Sequence, residues 1–197
     1  MAQTAMAQQP AVPPRPPFWL TLSIPAGNLI QVAGLVLGAA ILYWDAHLRD
    51  TPVLIRVVLM LVGFLLIYIG CHSLGHYMVG RLVGIRFRKY GVRGTDHPQD
   101  YPPGLRQVMS AMPTFSAITE KDSMSRASPQ AKALMFAAGE TSSSVCSILA
   151  GLYAWRSGIP GGLALFIFAV IFAVFASYTT AVKPRGDYAK ALKALKS

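Results

Sequence analysis

Four runs of this 197-residue chain are too long and too apolar for the surface of a soluble protein. The first extends from about Asn28 to Trp44. The second, from about Leu54 to Val79, contains "VVLMLVGFLLIYIG"; the third covers about Ala133 to Trp155 and the fourth Gly161 to about Val182. Crossing the hydrocarbon core of a bilayer takes about 20 apolar residues in a helix, so each run is a candidate span. Trp19, Tyr43 and Trp44 flank the first run, where aromatic rings favour the membrane interface. Composition agrees: 53% of residues are hydrophobic, 13% are charged, and mean hydropathy is +0.44. The expected fold is therefore an all-α integral membrane protein with about four transmembrane helices.

The segment from Arg81 to Lys132 cannot cross a membrane. It carries Arg81, Arg86, Arg88, Lys89, Arg93, Arg106, Lys121, Arg126 and Lys132, and "HPQDYPPG" interrupts it. The tail 183–197 adds Lys183, Arg185, Lys190, Lys193 and Lys196, whereas the other connections hold little beyond Arg49, Arg56 and Arg156. By the positive-inside rule, the long loop 81–132 and both termini face the cytoplasm. Within that loop, "GIRFRKYGVRG" fits a strand or an interfacial hairpin. Residues 1–27, rich in Pro, Gln and Ala, read as a disordered or extended tail with no cleavable signal, ahead of a membrane domain over 28–197.

A net charge of +10 would raise nucleic acid as a partner for a soluble chain. Here the basic residues flank apolar runs without a nucleic-acid motif, so anionic lipid headgroups are the expected partner and nucleic acid is not. Cys71 and Cys146 both lie inside apolar runs, which argues against a disulfide framework.

His72 and His76 stand in the last turns of the second run. Positions i and i+4 share one helix face, so both rings can address one ion. His47 and His97 read as solvated loop residues. In the third run Gly139, Ser143, Ser147 and Gly151 recur every fourth residue, the pattern of a close helix–helix packing face.

Three ordered stretches carry a family resemblance. "HSLGHYMVGRLVGIRF" resembles the H-E-L-G-H motif of the site-2 proteases, which are intramembrane zinc metalloproteases. "ALMFAAGETSSSVCSILAGL" is similar to that family's Ala-Gly-Pro segment, with Glu140 where Pro is usual. "AVKPRGDYAKALKAL" is similar to the last motif, which supplies an Asp ligand and maps it onto Asp187, followed here by Tyr188 instead of Gly. The resemblance implies zinc held by His72, His76 and Asp187, with one position left for a water whose proton a glutamate removes. It also implies a strand edge beside the site on which substrate adds.

Ser73 occupies the position of that glutamate. A serine hydroxyl is no proton acceptor near neutral pH, and losing a positioned base costs about a hundred- to ten-thousand-fold in rate. The expectation is a non-catalytic homologue that can keep its zinc site and serves as an accessory or structural subunit among other membrane proteins. A bacterial-type cytoplasmic membrane is the expected location. One alternative is an active peptidase with an unusual base, Glu140 being the candidate. The other is a membrane subunit in which a histidine ligates a haem or chlorophyll-type ring.

Overall fold

The apolar runs become four long helices, and local chemistry sets where they start. The computed structural model describes residues 16–95 and 103–196; His97 lies outside them. Helix α1 (Ile24–Asp45) opens at Ser23, whose hydroxyl accepts from the Ala26 amide at 3.4 Å, with Pro25 in the first turn. Helix α2 spans Val53–Leu82. The chain then forms β2 (Phe87–Arg93), α3 (Leu105–Ala111), β3 (Thr114–Thr119) and α4 (Lys121–Arg126). Helix α5 (Pro129–Arg156) repeats the opening of α1, with Ser128 accepting from the Ala131 amide at 3.1 Å and a proline at the first position. Helix α6 (Gly162–Val182) and a short α7 (Asp187–Leu195) complete the chain. Helices α1, α2, α5 and α6 are each long and apolar enough to cross a membrane.

Several expected bounds shift: helix α5 opens at Pro129 instead of near Ala133, and helix α2 runs past Val79 to Leu82. Helix α1 starts four residues before Asn28, because the Ser23–Pro25 start signal outweighs the apolar count. Part of the expected tail is ordered: Leu20–Leu22 forms strand β1. It pairs antiparallel with β2, and β3 pairs with the other side of β2, giving a sheet in the order β1-β2-β3. The stretch "GIRFRKYGVRG" thus holds the central strand. Arg93 is buried, donating to the Pro16 carbonyl at 2.7 Å with its guanidinium 4.3 Å from the Phe18 ring. Arg88, one of its alternating basic residues, is exposed.

Glycines let the spans approach closely. A side chain on Gly38 of α1 would come within 2.6 Å of the Gly63 carbonyl of α2, so these helices touch backbone to backbone there. Arg56, expected in a loop, lies inside α2, where its Nε donates to Asp45 Oδ1 at 3.0 Å and its Nη2 to the Asp45 carbonyl at 3.1 Å. Asp45 is 0% exposed, so this pair is a buried clasp between α1 and α2. Leu42, Met60, Ile67, Ala150, Ala154 and Leu165 fill the core among the four spans.

The sheet, α4 and α7 gather at one end of the bundle, where α2 and α6 finish and α1 and α5 begin. At 30 residues α2 is about 45 Å long, some 15 Å more than a hydrocarbon core, and its last turns enter this end. Helix α7 lies on α5 through Ala191 and Ala194 against Ala133, with Phe136 and Ala137 beside them.

Candidate metal centre

Helix geometry places His72 and His76 one above the other on α2, with ring centroids 5.0 Å apart and planes at 87°. Asp187 arrives from the other end of the chain. A side chain on Gly186 would collide with the Thr180 carbonyl, so only glycine lets the connection turn this tightly against the last turn of α6 and deliver Asp187 as the first residue of α7. Asp187 Oδ2 lies 3.3 Å from His72 Nε2 and 3.1 Å from His76 Nε2. The three ligand atoms all fall within 4.8 Å of one another. A tetrahedral ion with bonds of about 2.0–2.1 Å sets its donors roughly 3.3 Å apart, so both imidazole–carboxylate spacings suit one ion.

The outer ring nitrogens fix which atoms face inward. His76 Nδ1 lies 2.7 Å from the Met135 carbonyl, which can only accept, so Nδ1 carries the hydrogen. Ser143 Oγ donates to the Gly139 carbonyl at 3.1 Å and therefore accepts from His72 Nδ1 at 2.9 Å. With both Nδ1–H groups committed, neutral rings present two Nε2 lone pairs to one carboxylate oxygen. Three electron-rich atoms this close require a cation among them, either a metal ion or added ring protons. Burial alone would raise the Asp187 carboxyl, but the hydrogen bonds and charges of His72 and His76 outweigh it and hold it well below the usual carboxylate range.

Neither a family model, nor a curated protein, nor a solved structure matches this chain. What the site can do rests on its own groups.

The packing stripe on α5 turns out to serve the histidines as well as the helices. Any side chain on Gly139 would occupy the place of the His76 imidazole, and Ser143 is the partner of His72. Sequence spacing marked these positions but gave no hint that half of them support the rings. Ser147 and Gly151, farther along, are buried without touching the site.

Ser73 is 1% exposed, and its hydroxyl donates to the Phe115 carbonyl of β3. Ser73 therefore fastens an edge strand to α2. This agrees with the strand pattern: the Val92 carbonyl takes the Trp19 amide of the β1 side, so the paired Phe115 turns its carbonyl away from β2 and toward Ser73. Glu140 is buried in α5, accepts from Ser144 Oγ at 3.5 Å, and lines the same cavity as the histidines and Asp187. Tyr188 does not line that cavity; its hydroxyl bonds Thr141 Oγ1 at 3.0 Å. His47 is exposed, with Nδ1 on the Tyr43 carbonyl at 2.8 Å, as a loop histidine should be.

The cavity measures about 590 Å³. Residues Thr114 to Thr119 of β3 form one wall, His72, Ser73 and His76 another, and Met109, Met112, Met124 and Met135 supply much of its apolar surface. Methionine surfaces adapt to the shape of what they hold.

Proposed function

We propose that the chain is a non-catalytic relative of the site-2 intramembrane metalloproteases, a membrane protein that holds a zinc ion and works as an accessory or structural subunit of a membrane assembly. One observation carries the reading: His72, His76 and Asp187 converge with both imidazoles oriented from behind, while Ser73 spends its only hydrogen on the Phe115 carbonyl. The donor set of two imidazoles and one carboxylate suits zinc, which would act as a Lewis acid when bound. Peptide hydrolysis also needs a proton acceptor beside the ion, and a hydroxyl tied to a strand is not one.

Positive charge at the sheet end supports a cytoplasmic placement of that end and of both termini, in a bacterial-type cytoplasmic membrane with anionic headgroups nearby. Other membrane proteins are the natural partners of a fold kept without its chemistry.

Glu140 favours a second reading, an active peptidase with a displaced base, because it shares the cavity with the candidate ligands. A ligand for a haem-like ring needs an imidazole facing open space, and here both Nε2 atoms face Asp187.

Metal analysis of the purified protein, with a cleavage assay on transmembrane peptides, tests the proposal. About one zinc per chain, lost in His72→Ala, with no cleavage, is the expected result. Cleavage abolished by Glu140→Gln would establish the second reading instead, and a metal-free wild type would end both.

A further inference from the structure

We infer that Lys190 is a positioning residue of the metal centre, holding Asp187 so that a single carboxylate oxygen reaches the ion. The inference rests on the zinc reading above and adds a coordination mode to it.

Asp187 has two oxygens with different neighbours. Oδ2 faces both histidines, whereas Oδ1 accepts from Lys190 Nζ at 2.9 Å. Residues 187 and 190 lie on one face of α7 because three positions nearly complete a turn. Lys190 is itself held in place: Nζ lies 5.9 Å from the centre of the Phe136 ring on α5. Its side chain is 31% exposed and that of Asp187 13%, so the pair is more sheltered than a surface bridge between freely moving ends. Helix α7 is seated on α5 by Ala191 and Ala194, which fixes the backbone that carries both Asp187 and Lys190.

The chemical consequence follows from coordination number. A carboxylate with both oxygens free can chelate, taking two positions on the ion and filling the one that a ligand from the cavity would use. With Oδ1 committed to an ammonium, the protein supplies three donor atoms and the ion keeps an open position toward the cavity. In the sequence Lys190 counted only toward the positive charge of the tail.

Cobalt substitution reads this directly, because four-coordinate cobalt absorbs visible light more strongly than five-coordinate cobalt. Full-length wild type in detergent, loaded with cobalt alone, should give the intense four-coordinate spectrum. Lys190→Met should lower the visible absorbance per cobalt about twofold as Asp187 becomes bidentate, and Lys190→Arg should restore it. If Lys190→Met is not recovered folded, Lys190→Gln, too short to reach Oδ1, should give the same weakened spectrum. A bridge that only stiffened α7 would alter the melting temperature and leave the spectrum unchanged. That result, with wild type binding cobalt, overturns the role of Lys190 alone. Failure of wild type to bind cobalt or zinc overturns this role and the zinc reading together.

Discussion

Replacing Ser73 by alanine removes a hydrogen bond that ties β3 to α2 at the site, leaving the Phe115 carbonyl without this donor. Ser73 is 1% exposed and Phe115 is half-buried beside the cavity, so water makes up the loss only in part, and an unsatisfied buried acceptor costs about 1–3 kcal/mol. Sequence positions 114 to 119 make up an edge strand, held otherwise by its pairing with β2 and by the edge-to-face contact of the Phe115 and Tyr90 rings, whose centroids are 6.4 Å apart. The loss should therefore fall mainly on the opening of β3. At 1.4 kcal/mol per factor of ten, amide exchange in β3 should accelerate by roughly five- to 150-fold, while exchange in α1 and α6 stays as it was. Ser73→Glu should loosen the strand further, because an ionised carboxylate would face the Phe115 carbonyl where a donor had been. That variant would gain a base only by losing the wall of its own cavity, so little proteolysis is expected from it. Hydrogen exchange with mass spectrometry of the detergent-purified protein measures the effect. Exchange in β3 unchanged within twofold in both variants would show that the Ser73–Phe115 bond holds nothing, and the account of residue 73 as a strand fastener would have to be abandoned.

Other changes address separate parts of the structure. Ser143→Ala strips the acceptor from His72 Nδ1 and should weaken zinc binding about 10- to 100-fold by competition titration, with no change in helix content. Gly139→Ala pushes a methyl group into the His76 ring; zinc stoichiometry should fall sharply and stability by about 1–3 kcal/mol in thermal unfolding. Arg56→Ala leaves Asp45 buried without its partner and should cost about 3–5 kcal/mol in the same assay, far from the metal centre and without effect on zinc content. Burial pushes the Tyr90 phenol up to about 12, against roughly 10 in an unfolded chain. Its contribution to stability is therefore complete below pH 10 and disappears as pH rises from about 10 to 12, so Tyr90→Phe should flatten the alkaline arm of the stability profile.

The spans were legible because oil and helical length leave one solution in a bilayer; two starts moved to the cap signals at Ser23 and Ser128, and α2 ran three residues past its expected end at Val79. Strand β1 was hidden because three residues, Leu20 to Leu22, are too few to show a period of two. The meeting of His72 and His76 with Asp187 could be expected only through motif order, since nothing local joins residues 111 positions apart. Ser143 and Lys190 illustrate a deeper limit. A small residue every fourth position looks the same whether it admits a helix or receives an imidazole hydrogen. Likewise, a lysine in a basic tail looks the same whether it meets lipid or a carboxylate. Partners from other elements decide both roles, and those exist only after folding.

The Arg93 clasp on the Pro16 carbonyl makes the segment just ahead of β1 a handle on the sheet. Tension applied at Pro16 passes through β1 into β2 and from there to β3, the wall that Ser73 fastens beside the histidines. This junction is therefore a mechanical linkage as much as a topological one.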